Sequence, residues 1–240
     1  MITIENLYKK FGTIEALKNI SAEISKGSIT YLVGPNASGK TTLIKSILGL
    51  VKPTSGNILI DKEKLNGNFS YREKIGYMPQ IASFPENLTV EEIFSMIKNL
   101  RANTKIYDEE LIEKFYLKKE FKKRLKNLSG GTRQKVNACI AFLFDPEILI
   151  LDEPTAGLDP VSSSILKDKI IHENTCGKTI IFTSHILSEL EELAEQVVFL
   201  LEGQIRFNGT ISNLISSTEK QNLERAIASI MNGNNDEHSS

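Results

Sequence analysis

The stretch Gly34-Pro35-Asn36-Ala37-Ser38-Gly39-Lys40-Thr41-Thr42 decides the fold, because it fits G-x-x-x-x-G-K-[ST], a loop whose backbone holds polyphosphate. Its flanks are what that geometry requires. Ile29-Thr30-Tyr31-Leu32-Val33, bounded by Gly27 and Gly34, is a short apolar run that reads as a buried strand. Beyond the loop, Leu43, Ile44, Ile47, Leu48 and Val51 recur at helical spacing as far as Lys52-Pro53, where the proline is expected to stop the helix. A strand feeding a glycine loop and then a helix aims backbone N–H groups and the positive end of the helix dipole at one point. A Gly-rich turn that merely happened to end in Lys-Thr would need neither flank.

The rest of the chain is ordinary in bulk. It has 240 residues, 40% hydrophobic and 25% charged, with a net charge of −1, enough for one large domain or two small ones. That near-neutral balance argues against a protein built mainly to neutralise nucleic-acid phosphates. No apolar run approaches the roughly 18 residues of a membrane helix. Met1-Ile2-Thr3-Ile4-Glu5-Asn6 lacks the basic start and apolar stretch of a signal peptide. Cys139 and Cys176 sit in no metal-ligand spacing; the first lies on an apolar helix face and reads as core, the second in a turn before Gly177. A cytoplasmic, reducing location is expected.

In chain order, the first 28 residues alternate apolar and polar positions (Ile2, Ile4, then Ile20, Ala22, Ile24), as antiparallel strands with one wet face do, and Phe11-Gly12 marks a turn. Ser55 to Asp61 and Lys74 to Met78 read as further strands, the second ending at Pro79-Gln80. Residues 81 to about 127 change character. Thr89 is a fitting N-cap with Glu92 completing a capping box, and Ile93, Phe94, Ile97 and Leu100 mark an apolar face. A second helix is expected from Asp108 to Leu117. This inserted block reads as a small helical lobe, residues 81–144 at its widest. Lys118, Lys119, Lys122, Lys123, Arg124 and Lys126 cluster around Phe121 and read as a solvated helix face rather than a nucleic-acid patch. A helix from Gly131 to Phe144 then precedes Ile148-Leu149-Ile150-Leu151, a run suited to a strand buried on both faces. Pro160 to Ile171 reads as helix, Thr179 to Thr183 as strand, Ile186 to Leu193 as helix and Val197 to Leu201 as strand. The alternation predicts an α/β fold with a parallel sheet, an antiparallel N-terminal β subdomain and an inserted helical subdomain. One domain spanning 1–231 and a disordered polar tail, 232–240, are expected.

In open α/β sheets, ligands sit at the carboxyl ends of the strands. The strand ending at Leu151 delivers Asp152-Glu153-Pro154, and the strand ending at Thr183 delivers Ser184-His185. Against a bound nucleotide, Lys40 offers a point charge to the terminal phosphates, and Thr41 and Asp152 hold Mg²⁺ directly or through water. Glu153 is placed to orient or deprotonate an attacking water; otherwise it is a surface carboxylate beside a turn proline. Leu128-Ser129-Gly130-Gly131-Thr132-Arg133-Gln134 couples a good N-cap to two glycines, either a second anion-binding helix start or a capped helix and nothing more.

The ordered set resembles the ATP-binding cassette (ABC) ATPases, P-loop NTPases, over roughly residues 2 to 210. The motifs are the phosphate loop at Gly34 to Thr41, Gln80 after a strand, Leu128 to Gly131, Ile148 to Glu153, Ala156-Gly157-Leu158-Asp159, and His185. The resemblance implies ATP and Mg²⁺ as cofactors and two cassettes paired head to tail, with Ser129, Gly130 and Gly131 of one closing over the ATP of the other. It implies that Gln80 reaches the Mg²⁺ and senses a partner, that Phe11 stacks on adenine, and that Asp159 links the two sites. Tyr8 is the less favoured choice for the adenine, Asp159-Pro160 is equally a plain N-cap with Pro at N1, and Gln80 also fits an ordinary loop residue. Two departures stand out. Ala37 occupies a place where many members carry Gly, and Thr132 follows Ser-Gly-Gly where Gln is more common.

Lys74 to Glu92 and Ser129 to Ala138 further resemble the ATPase subunit of bacterial copper-processing systems that serve nitrous-oxide reductase maturation (NosF-type), which works with a separate membrane permease. The transporter subunit is thus the leading expectation: a cytoplasmic ATPase, peripheral on the inner face of the membrane, with no nucleic-acid partner. The alternative is an ABC-type ATPase acting on nucleic acid or the ribosome. Such proteins carry two cassettes or a long coiled coil, whereas about 90 residues without sustained heptads separate Lys40 from Ser129. A small-molecule kinase would share the phosphate loop but leave Ser129 to Gly131 without a purpose.

Overall fold

In the computed structural model of the chain, residues 1–65, 67, 69–101, 107–218 and 222–232 are described. In order, the first elements are β1 (Ile2–Phe11), β2 (Ile14–Ile24), β3 (Ile29–Val33), α1 (Lys40–Ile47), β4 (Ser55–Ile60), β5 (Glu63–Lys64) and β6 (Ile75–Met78). Next come α2 (Val90–Leu100), α3 (Glu110–Lys114), α4 (Gly130–Phe142), β7 (Ile148–Asp152), α5 (Pro160–Thr175) and β8 (Thr179–Thr183). The chain closes with α6 (Leu187–Leu193), β9 (Gln196–Leu201), β10 (Gln204–Thr210), α7 (Ile211–Ser217) and α8 (Leu223–Asn232). Contacts divide these elements into two compact units. One is Met1–Tyr71 with the chain from Thr183 onward, and the other is Arg72–Phe182.

In the first unit, β2-β1-β4-β5 form an antiparallel sheet. The register pairs Ile2 with Ile24 and Ile60, and Ile4 with Ala22 and Ile58, so the apolar halves of three alternating strands line up on one buried face. β3 is buried along its whole length and runs parallel to β9, with Leu32 opposite Val198 and Val33 opposite Phe199. A strand covered on both faces needs the continuous apolar run seen in the sequence. The helix after the phosphate loop is shorter than expected. It ends at Ile47, and Gly49, at φ 66°, closes it: the Leu50 N–H donates to the Lys45 carbonyl at 2.8 Å and the Gly49 N–H to the Ser46 carbonyl at 3.0 Å. This pair of bonds satisfies the carbonyls of the last turn, so the left-handed glycine stops the helix before Pro53 is reached. β10, α7 and α8 carry no strong sequence signal. They bury Leu214, Leu223, Ala226 and Ile227.

In the second unit, β6 runs parallel to β7, with Ile75 opposite Ile148 and Met78 opposite Leu151, and β8 lies on the other side of β7. The capping box of α2 is present: the Glu92 N–H donates to the Thr89 hydroxyl at 3.2 Å, and the Glu92 carboxylate accepts from the Thr89 N–H at 2.7 Å. Ile93 and Phe94 are buried, but Leu100, at the end of the helix, is 76% exposed. The helix expected over 108–117 is only α3, because Tyr116 takes a left-handed conformation, φ 52°, which breaks the helical path. The basic run around Phe121 is solvated but is not a helix face. It consists of short 3₁₀ turns at Leu117–Glu120 and Leu125–Asn127, with Lys118 and Lys123 paired to Glu113 and Glu120. α4 starts one residue earlier than expected and ends at Phe142, and Asp145, φ 50°, turns the chain into β7. Cys139 is core, and burial pushes its thiol pKa well up, whereas Cys176 is exposed in the turn before Gly177. The expected disordered tail, apart from Asn232 at the end of α8, lies outside the described residues.

Candidate nucleotide site

The phosphate loop leaves the carboxyl end of β3 and is pinned at three points. A Cβ at Gly34 would run into the Leu200 carbonyl, and one at Gly39 would lie 2.7 Å from the Ala16 carbonyl. The Gly203 N–H donates to the Ser38 carbonyl at 2.9 Å. Gly39 is the N-cap of α1 at φ 109°, so no side chain caps this helix, and no acidic residue stands in its first turn. The helix start is therefore left to an external acceptor. Ser38 is 2% exposed, and its buried hydroxyl has no hydrogen-bond partner among the described residues. Lys40 folds back over the loop, donating to the Gly34 and Pro35 carbonyls at 2.5 and 2.9 Å. An uncapped helix start, an orphaned hydroxyl and a lysine held by the loop's own carbonyls are a donor set that fits polyphosphate. Thr41 and Thr42 follow in the first turn, Asn36 is exposed at the tip, and Ala37 sits at φ 62°.

Phe11, at the end of β1, is 47% exposed, and the Lys9 ammonium lies 4.5 Å from its ring centre. That leaves an apolar ring face with a cation beside it, suited to stacking on a heterocycle. The Tyr8 phenol is already committed to Glu15 at 2.5 Å, an acceptor that raises its pKa. His185 is exposed in the turn after β8. Its neighbour Ser184 is buried, with its carbonyl accepting from the Tyr31 hydroxyl and its own hydroxyl donating to Glu189 at 2.6 Å.

The second unit holds the remaining residues. Gln80 and Asp152-Glu153 follow the carboxyl ends of two paired parallel strands, β6 and β7, so the topology brings them to one sheet edge. Gln80 is exposed, one residue after Pro79, whose carbonyl accepts from the Asn137 side chain at 2.8 Å. Asp152 is buried, and its charge adds to burial in pushing the Tyr77 phenol up to about 12. Glu153 is also buried, with a left-handed backbone at φ 53°. The turn it opens is held by Gln134, whose side-chain amide donates to the Glu153 and Pro154 carbonyls.

Ser129 is the N-cap of α4, its hydroxyl accepting from the Thr132 N–H at 3.2 Å and lying 2.8 Å from the Thr132 hydroxyl. Thr132 thus serves the cap. A Cβ at Gly130 would meet open space, whereas one at Gly131 would lie 2.8 Å from the Gly157 carbonyl, so the glycines split into an open position and a packed one. Asp159 caps α5, accepting from the Ser162 N–H and hydroxyl at 2.9 and 2.7 Å. Those bonds, with Lys135 at 3.0 Å, hold its pKa well below the usual carboxylate range. The plain N-cap reading of Asp159-Pro160 is therefore realised, and Pro160 stands at N1.

Gln134, Asn137 and Glu189 were not singled out by sequence. The signal for the first two was present: polar residues three apart, close to Val136 and Cys139, on a helix face expected to be apolar.

The sequence profile of the family described as ABC transporter matches residues 17–156. An uncharacterized ABC transporter ATP-binding protein, YdbJ of Bacillus subtilis (strain 168), is 35% identical over 93% of this chain and 74% of its own length. The lantibiotic transport ATP-binding protein SrtF of Streptococcus pyogenes is 35% identical over 85% of this chain and 89% of its own. The bacitracin transport ATP-binding protein BcrA of Enterococcus faecalis is 35% identical over 92% and 72%. Among solved structures, an ATP binding subunit of an ABC transporter superposes with a TM-score of 0.89 at 26% identity, over 96% of this chain and 99% of that one. The dimeric cassette MJ0796 in a post-hydrolysis state bound to ADP and Pi superposes at 0.75 and 27% identity, over 88% and 98%.

Proposed function

This chain belongs to the ABC transporter family and is an ATP-binding, ATP-hydrolysing subunit with ATP and Mg²⁺ as cofactors, and from that premise we propose how its residues divide the work. The observation that carries the proposal is the phosphate loop, with α1 uncapped, Ser38 orphaned and Lys40 poised over the loop carbonyls. Gly34, Pro35, Asn36, Ala37, Ser38, Gly39, Lys40, Thr41 and Thr42 bind the triphosphate through backbone N–H groups, hydroxyls and the Lys40 ammonium. Phe11 stacks on the adenine. The Thr41 hydroxyl, Asp152 and Gln80 are hard oxygen donors that would hold Mg²⁺, which supplies positive charge to the phosphoryl oxygens. Glu153 orients or deprotonates the attacking water, with His185 and Gln80 completing the catalytic set.

Ser129, Gly130 and Gly131 of a second copy close over the nucleotide in a head-to-tail dimer, and Asp159 links the two sites. The MJ0796 cassette, which is dimeric, supports the pairing. The whole machine is one nucleotide-binding domain over 1–231 with its helical subdomain about 81–144. Among the described residues, no helix is long and apolar enough to cross a membrane. In keeping with the relatives named as transport ATP-binding proteins, a separate integral membrane permease carries the pathway and holds this subunit at the inner face of the membrane; nucleic acid is not a partner.

Glu153→Gln tests the site. The variant is expected to bind ATP, turn it over at least about 100-fold more slowly, and accumulate a nucleotide-dependent dimer on size-exclusion chromatography. Normal turnover would remove Glu153 from its role.

For the cargo, the finer reading is copper processing for nitrous-oxide reductase maturation, supported by Lys74 to Glu92 and Ser129 to Ala138. Export of peptide antibiotics is a second reading, favoured by the relatives named for lantibiotic and bacitracin transport. Deleting the gene discriminates them. Loss of reductase maturation supports the first; sensitivity to peptide antibiotics with maturation intact supports the second. Salt-sensitive RNA or DNA binding without a permease partner would overturn both.

A further inference from the structure

The turn that carries His185 is built unlike a helix entry made by its own cap. β8 ends at Thr183, the chain passes through Ser184, His185 and Ile186, and α6 starts at Leu187 with Ile186 as an N-cap that offers no side-chain acceptor. Ser184, two residues earlier, takes over. Its hydroxyl accepts from the Ile186 N–H at 3.0 Å and donates to the Glu189 carboxylate at 2.6 Å, while its carbonyl accepts from the Tyr31 hydroxyl. The Ser184 hydroxyl donates to Glu189, and the lone pairs left on its oxygen face the Ile186 N–H. The bonds run one way, from Ile186 through Ser184 to Glu189, and the residues on either side of His185 are fixed by them.

The three supporting side chains are out of solvent: Tyr31 is 0% exposed, Glu189 4% and Ser184 5%. Glu189 has Ser184 as its partner and no ion pair among the described residues. Its bond to Ser184 crosses from the first turn of α6 to the end of β8, and Tyr31 ties the same serine to β3, the strand that leads into the phosphate loop. His185 itself stays exposed.

We infer that Tyr31, Ser184 and Glu189 are positioning residues for His185, holding its backbone at a fixed place relative to the phosphate-loop strand during ATP hydrolysis. This rests on the reading of His185 as part of the catalytic set. The residues touch no substrate. They limit the conformations that the histidine can sample, and a misplaced catalytic group lowers turnover while leaving nucleotide affinity to the loop.

Steady-state ATPase kinetics of the full chain with Mg-ATP test this. Ser184→Ala and Glu189→Ala are each expected to lower kcat about tenfold with KM within about twofold, and Glu189→Gln, whose carbonyl oxygen still accepts from Ser184, is expected to recover most of the loss. In a His185→Ala background, Glu189→Ala should produce no further loss. Equal losses in both backgrounds, or full activity in Ser184→Ala and Glu189→Ala, would overturn the positioning role while leaving the catalytic set intact. Full activity in His185→Ala would instead sink the role of His185 itself. Because a buried variant can simply unfold, the His185 ring resonance is followed in parallel: one sharp signal in the parent should broaden or split in Glu189→Ala at a temperature where both proteins are folded. An unchanged ring signal counts against the inference.

Discussion

Gln134 donates its side-chain amide to the carbonyl of Glu153 at 3.1 Å and to that of Pro154 at 3.2 Å. The helix that begins at Ser129 is thereby fastened to the turn that presents the proposed catalytic carboxylate, and the left-handed backbone of Glu153 has a restraint to hold it. Gln134→Leu takes the side-chain donor from the Pro154 carbonyl, whereas the Glu153 carbonyl keeps the Ala156 N–H, so at about 1–3 kcal/mol the urea midpoint should fall at an unchanged slope. Turnover should fall with it, while ATP binding, measured in Glu153→Gln as the reference background, stays within about twofold.

Gly130 and Gly131 should separate a binding role from a packing role. A Cβ at Gly131 meets the Gly157 carbonyl at 2.8 Å, and one at Gly130 meets nothing. Gly131→Ala is expected to lower thermal stability, because a backbone atom must shift. Gly130→Ala should fold with its melting temperature unchanged and lose only the nucleotide-dependent dimer. Normal dimerisation of Gly130→Ala would count against this glycine facing a second copy.

Lys40→Ala should weaken ATP binding by about 1.5–3 kcal/mol, the range for hydrogen bonds to charged groups, as read by isothermal titration. Unchanged affinity would remove the phosphate loop from the site.

Ala37 carries a Cβ in the left-handed region, φ 62°, at about 1–2 kcal/mol relative to the ordinary helical region. Ala37→Gly removes that strain but loosens the unfolded chain by about 0.4–1 kcal/mol, so stability should stay level or rise by up to about 1.6 kcal/mol. Ala37→Val, β-branched, should instead destabilise the loop and weaken nucleotide binding.

Lys169 is buried among Asp108 and Glu110 at 2.6 Å and Glu173 at 2.7 Å, and Lys178 joins Glu173 to Asp145. Lys169→Ala removes the buried cation shared by three carboxylates, of which Glu110 keeps Lys114 and Glu173 keeps Lys178, and is expected to destabilise the fold by about 3 kcal/mol. Hydrogen bonds from Lys114 and then Lys169 lower the Glu110 carboxyl to about 2. A depressed folded-state pKa contributes stability above the ordinary glutamate value, and that stability is lost as pH falls from about 4.5 towards 2. The midpoint of chemical unfolding should therefore drop over that window, and Glu110→Gln should flatten the drop. Because Glu110 is partly exposed, the effect is a fraction of what the shift alone would give.

Much of this protein was legible in the sequence because its signals are local. A short apolar run of five residues between polar or glycine flanks reads as a buried strand, and β3 and β8 fall where the runs at 29–33 and 179–183 put them. The capping box at Thr89 and Glu92 and the caps at Ser129 and Asp159 are satisfied within three residues of chain, so they too could be read in advance. Tertiary structure decided what depends on distant partners. α1 stops at a left-handed Gly49 rather than at Pro53, and Tyr116 breaks a helix that periodicity would have continued. Gln134, Asn137 and Glu189 are polar residues whose meaning lies in carbonyls and hydroxyls that only folding brings to them. The sequence by itself determined which residues could handle a nucleotide, since loop chemistry and strand ends are written locally. Only the fold decided which buried polar groups hold those residues still, because a buried hydrogen bond is satisfied by position in space and not by spacing along the chain.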